Sequence, residues 1–245
     1  MKRRIWMACA ICCGIQIACN KPNAPDCLQQ AGDIAVEWRS MPAYDRIEVS
    51  DNIQLILIDS EEEKIKVEGP NNLLPEIKTE LRDHVLYIEN DNTCNFVRSF
   101  KHVYTVCLYG KNFSHILNRG TGDISSGNTL RTGYVFIDNK RSLGTIRLKL
   151  ELDSIRLSNT TGYSDVYLSG NADVAYFFQQ GLGVFDASKL NCRAVYSNNN
   201  SINDLRVQFR DYLYAAINND GNIYYHGPAN AIDADPNGSG SLIYE

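Results

Sequence analysis

From Tyr44 onward, apolar and polar residues alternate in short runs. Ile47 and Val49 alternate with polar neighbours, Ile53, Leu55 and Leu57 do the same, and Ser50-Asp51-Asn52 separates the two runs. Ile65 and Val67 follow, and Gly69-Pro70-Asn71-Asn72 turns the chain. Beyond lie Leu81, a turn at Asp83-His84, the run Val85-Leu86-Tyr87-Ile88, and Val103 to Leu108. Period-two runs of about four to six residues, bounded by Gly, Asn and Asp, predict β-strands. No stretch longer than about ten residues keeps a 3.6-residue period, so helices are expected to be few or absent.

A longer regularity begins at His115. The apolar residue after each Gly- or Asp-containing turn is Ile124, Ile146, Val166, Val184, Ile202, Ile223 and Leu242, at intervals of 22, 20, 18, 18, 21 and 19. A second column, Asn118, Asn139, Asn159, Gln179, Asn198, Asn218 and Asn237, recurs at 21, 20, 20, 19, 20 and 19. Two columns in one register predict a solenoid. One turn of chain buries too little apolar surface to stand alone, and stacked turns share a core. Stacking at about 4.8 Å sets like residues over like. The amide column is therefore expected to be structural, a ladder of side-chain hydrogen bonds at a corner of the coil. The predicted fold is all-β: a parallel β-helix over residues 115–245, about 20 residues per rung, which the strands of residues 34–114 cap or continue.

Ahead of the strands, Lys2, Arg3 and Arg4 precede an uncharged run of 14 residues, Ile5 to Ala18. That is short of the roughly 18–20 needed to span a bilayer, so residues 1–18 read as a secretory signal. Ile17-Ala18-Cys19 followed by polar Asn20 resembles a bacterial lipobox. The resemblance implies cleavage before Cys19, a diacylglyceryl group on its sulfur, and a membrane partner through that anchor. Residues 19–33, with Pro22 and Pro25, read as a tether. The expected location is the outer membrane, facing the periplasm or the cell surface. Counts of 24 basic and 29 acidic residues give a net charge of −5, and losing the leader removes basic residues only. No nucleic-acid partner is expected from that balance.

Of the eight cysteines, Cys27, Cys94, Cys107 and Cys192 remain beyond Cys19. They allow up to two disulfides, with Cys94 and Cys107 close enough in sequence to close a loop, or four buried thiols. They show no Cys-x-x-Cys spacing, and His84, His102, His115 and His226 are far apart. No metal and no cofactor is expected.

The turns carry a further signal. Gly120-Thr121-Gly122-Asp123-Ile124, Gly162-Tyr163-Ser164-Asp165-Val166 and Gly238-Ser239-Gly240-Ser241-Leu242 resemble the repeating Gly-Ser-Gly-Asp-Ile turns of one family. It is the "putative auto-transporter adhesin, head GIN domain" family. Tyr44-x-x-Ile47-x-Val49 and Gly69-Pro70-Asn71-Asn72-Leu73-Leu74-Pro75 agree with its N-terminal half, so the resemblance spans residues 42–245. Asn52-Ile53-Gln54 stands where the family has Gly-Ile-Asn, and Arg141-Ser142-Leu143-Gly144 lacks a second glycine. The resemblance implies a right-handed parallel β-helix and surface exposure.

The same turns offer little chemistry. A calcium roll needs its glycine motif every nine residues, against about 20 here. A phosphate cradle needs a helix N-terminus behind the glycines. The residues before the apolar anchors read Asp123, Thr145, Asp165, Gly183, Ser201, Asn222 and Ser241, with no two carboxylates on adjacent rungs. No catalytic residue is assigned. The residues after the anchors should point outward, and among them Tyr167, Phe185 and Tyr224 form the candidate binding face, fit for a glycan or a protein. The expected role is that of a lipid-anchored envelope protein with a non-catalytic, adhesion-like function. A polysaccharide-active β-helix enzyme and a structural or sensing spacer are the alternatives.

Overall fold

A computed structural model describes residues 31–93 and 103–245. The period-two runs form β1 (Ile34–Ser40), β2 (Arg46–Val49), β3 (Ile53–Asp59), β4 (Lys64–Pro70), β5 (Ile77–Arg82), β6 (Val85–Asn90), β7 (Tyr104–Gly110), β8 (His115–Asn118) and β9 (Ile124–Ser126). The repeats give β10 (Leu130–Ser142), β11 (Ile146–Gly162), β12 (Val166–Gln179), β13 (Phe185–Asn199) and β14 (Leu205–Ile217). β15 (Ile223–His226), β16 (Ile232–Pro236) and β17 (Leu242–Tyr244) follow. Among the described residues the only helical segments are two 3-10 turns, and no helix is long and apolar enough to cross a membrane.

Strands β10 to β14 pair in parallel and in chain order. They build a β-solenoid of about six turns with rungs about 20 residues apart, the parallel β-helix expected from the repeat. Each long strand serves two faces. In β11 the buried positions run Ile146, Leu148, Leu150 and Leu152, then Ile155, Leu157 and Asn159. The change of parity at Asp153-Ser154 marks a corner of the coil, because alternate residues of a straight strand keep one side.

The N-terminal strands both continue and cap this coil. β8 stacks on β2 with Ile116 beside Ile47, and β9 on β3 with Ile124 beside Leu55. β6 and β7 take the opposite edges of β2 and β3, so a rung later in sequence lies outside an earlier one. Antiparallel strands then finish the sheet, β5 on β6, and β4 on β7 with β1 beyond it. β1 and β5, each paired on one side only among the described residues, are then the edge strands of this end. The β5–β6 hairpin turns through Asp83 and His84, both at positive φ (49° and 61°), as a two-residue hairpin of this hand requires. One hydrophobic core runs through both parts, from Ile47 to Ile223.

The amide column divides in two. Asn118 donates to Asn139 (2.7 Å), Asn139 to Asn159 (2.8 Å) and Asn159 to Gln179 (2.9 Å), all fully buried. Gln179 ends the chain of bonds by donating to the Gly181 and Gly183 carbonyls. On the next rung the inward amide is Asn199, paired with Gln179, and not Asn198 as the spacing predicts. Asn198, Asn218 and Asn237 form a second, outer run, with Asn218 donating to Asn198 (2.9 Å) and Asn237 to Asn218 (3.2 Å). The cause is rung length. Gln179 to Asn199 takes 20 residues, but Asn199 pairs with Ile217, so an apolar residue takes the inner place and Asn218 falls outside.

The apolar column shifts likewise. Val184 is 41% exposed and Ile202 58%, whereas Phe185 and Leu205 are fully buried and stack between Val166 and Ile223. The turn Gly181-Leu182-Gly183 holds Val184 outside, and the chain turns inward one residue later. Phe185 fills the core against Phe177, their centroids 5.1 Å apart.

Candidate binding faces

The outward column on the face of β9, β11 and β15 reads Ser125, Arg147, Tyr167, Asp186, Arg206, Tyr224 and Ile243. Phe185 is absent from it, being a core residue, so the proposed trio is not a surface. Tyr167 and Tyr224 remain outward but are separated by Asp186 and Arg206. Each ring carries an arginine, Arg147 at 5.1 Å from the Tyr167 centroid and Arg206 at 4.7 Å from that of Tyr224. Such cation–π pairs brace neighbouring rungs. Around Tyr167 this face sinks into a recess of about 420 Å³.

A second outward column, on the face of β8 and the C-terminal halves of β10 to β14, is absent from the sequence reading. It places His115, Phe136, Arg156, Tyr176, Tyr196 and Tyr214 side by side. Phe136, Arg156, Tyr176 and Tyr196 recur at intervals of 20, the same signal that revealed the amides. His115 stacks on Phe136 at 4.7 Å, and the Arg156 guanidinium lies 5.2 Å from the Phe136 centroid. Tyr176 and Tyr196 are nearly parallel, 14° and 5.0 Å apart, and Tyr212 closes on the far side of Tyr196 at 5.6 Å. Tyr176 is 46% exposed and Tyr196 39%. Rings stacked along the coil spend their faces on one another. What they offer outward is edges and hydroxyls.

Burial pushes the Tyr212 and Tyr214 phenols above their ordinary value, with Asp233 and Asp235 adding to the shift, so both remain protonated donors at neutral pH. Burial and the nearby Arg46 charge hold His115 below its ordinary value, which keeps it neutral there. Cys107 and Cys192 are buried free thiols, while Cys94, which the spacing sets as a loop partner for Cys107, lies outside the described residues. Burial pushes the Cys192 thiol up to about 12 and that of Cys107 upward as well, the signature of packing rather than reactivity. Cys19, Cys27, Cys94 and His102 lie outside the described residues. Among the described residues no three His, Cys, Asp or Glu side chains converge as metal ligands would.

The model of the family described as "putative auto-transporter adhesin, head GIN domain" matches residues 43–229. The chain belongs to that family. No curated protein matches the sequence. Among solved structures it is similar to a "putative adhesin" from Bacteroides fragilis, at 20% identity and a TM-score of 0.76, covering 87% of this chain and 97% of that one. A "putative lipid binding protein" from Parabacteroides distasonis shares 18% identity at a TM-score of 0.63, over 87% of this chain and 97% of the other. A "putative adhesin" from the same species shares 20% identity at 0.62, over 87% and 98%. At such identities the likeness shows the fold alone. The GIN-domain turns quoted above are, in this fold, the corners where successive rungs touch: a Cβ on Gly144 would lie 2.0 Å from the Gly122 carbonyl oxygen.

Proposed function

We propose that this chain is an exported, lipid-anchored envelope protein that makes adhesion-like contact with a protein partner, without turnover, through its tyrosine column. The observation that carries this reading is the exposed, stacked pair Tyr176 and Tyr196, with the half-buried Tyr212 tilted against Tyr196. Tyrosine edges and hydroxyls held rigid by their neighbours supply contact area at small entropic cost, which is why tyrosine is enriched in protein interfaces. Sugar stacking needs open ring faces, and Tyr196 has a ring on each side. Phe178, beside these tyrosines, borders a recess of about 260 Å³ and adds an apolar anchor. Family membership supports an envelope or surface location. Cys19 and the tether of residues 19–33 would hold the face clear of the membrane.

The test is an array carrying matrix proteins and glycans, probed with the full-length protein, beside an assay for reducing-sugar release. Retention on protein features with no sugar release is the expected result. Sugar release would favour the polysaccharide enzyme, and no retention on any feature would favour the spacer. For the anchor, Cys19→Ala should leave the protein unprocessed or soluble; normal maturation and membrane partition of that variant would refute the lipoprotein reading.

A further inference from the structure

The recess around Tyr167 is separate from the tyrosine column and carries its own chemistry. Arg147, Lys149 and Lys189 line it. None of the three has an ion-pair partner among the described residues, although Arg131, Arg193 and Arg206 are all paired. The one carboxylate in the lining, Asp186, is held by the Ser188 backbone N–H (2.9 Å) and hydroxyl (2.6 Å). The recess is thus a local excess of positive charge on an acidic chain. Its cations are placed by the fold. Lys149 pairs with Ser169 and Ser169 with Lys189, so the lysines stand two rungs apart, about 10 Å, with a hydroxyl between them. Arg147 occupies the neighbouring outward column, steadied against the Tyr167 ring.

We infer that this recess binds an acidic saccharide, a sugar unit bearing a carboxylate. Its volume of about 420 Å³ lies within the range of small-ligand sites. The three cations would take the carboxylate, as charge-assisted hydrogen bonds require. Ser125, Ser126 and Ser169, with the free lone pairs of Asp186, match a ligand that is otherwise ringed by hydroxyls. A bare inorganic anion would leave those groups unused.

Calorimetric titration of the full-length protein with cellobiouronic acid, cellobiose, inorganic sulfate and phosphatidylglycerol vesicles separates the possibilities. The sugar acid should bind at least about tenfold more tightly than cellobiose and than sulfate. Lys149→Gln with Lys189→Gln should cost at least about tenfold for the sugar acid, while Arg210→Gln, which removes a charge outside the recess, should leave it unchanged. Both variants should melt with the wild type. Equal binding of cellobiose or sulfate, binding of the vesicles alone, no binding of the sugar acid, or full affinity in the double lysine variant would each overturn the inference. Array retention through the tyrosine column is a different face and a different readout, so either claim can fail alone.

Discussion

Asn139 sits between two amides and is bonded to both, accepting from Asn118 and donating to Asn159. Leucine there would fit the space but strand a donor and an acceptor in the core, at about 1–3 kcal/mol for each group left unpaired. Asn218 makes a similar bond to Asn198 on the outside, where water replaces it, so leucine there should stay within about 0.5 kcal/mol. Chemical denaturation of Asn139→Leu and Asn218→Leu checks the difference; equal losses would mean that the inner ladder contributes nothing special. The residue scale is also where sequence reading failed most sharply. Rungs of 20 residues from Gln179 to Asn199 and 19 from Val166 to Phe185, each one residue longer than the spacing predicts, put Asn198 and Phe185 on the wrong sides, because one residue of slip reverses every side chain of a strand.

Among the elements, the corners explain the glycines. At Gly144 the need is close approach, rung on rung, and not a positive φ. Gly144→Ala should cost about 1–3 kcal/mol through that clash, whereas Gly133→Ala, whose nearest new contact would be the Asp153 carboxylate at 3.5 Å, should be neutral or slightly stabilising. Equal melting temperatures for the two variants would remove the close-approach explanation. A second element-scale contact ties the end of β3 to its neighbours. Asp59, whose side chain is 10% exposed, meets Lys111 at 2.6 Å and accepts from the Arg131 N–H at 2.7 Å. Burial alone would push its carboxyl up, but these partners outweigh it and hold it below the ordinary value. A depressed folded value means stability that is present above the unfolded aspartate value, about 3.9, and lost as pH falls through the folded one. Melting temperature should therefore fall more steeply below about pH 4 in the wild type than in Asp59→Asn; parallel curves would show that the contact is not linked to folding.

For the whole molecule, alternation and period were enough to read an all-β solenoid and its 20-residue rung, and the resemblance of the turn motifs pointed to its family. Local alternation and repeating turns are properties of single rungs, and stacking copies them. The N-terminal crossing of β6–β7 beneath β2–β3 was not legible, since it depends on pairings between distant strands rather than on any local pattern. The tyrosine column shares the 20-residue period, but it lies in mid-strand, where no Gly or Asp turn marks the register. The central claim is that this column is a contact surface and not only a brace. Retention of Tyr176→Ser with Tyr196→Ser on the protein features that hold the wild type, measured beside its melting temperature, tests it most directly. The account predicts lost retention with a melting temperature within about 2–4 °C of the wild type, the shift of about 1 kcal/mol in a chain of this size. A large fall in melting temperature with retention unchanged would contradict it.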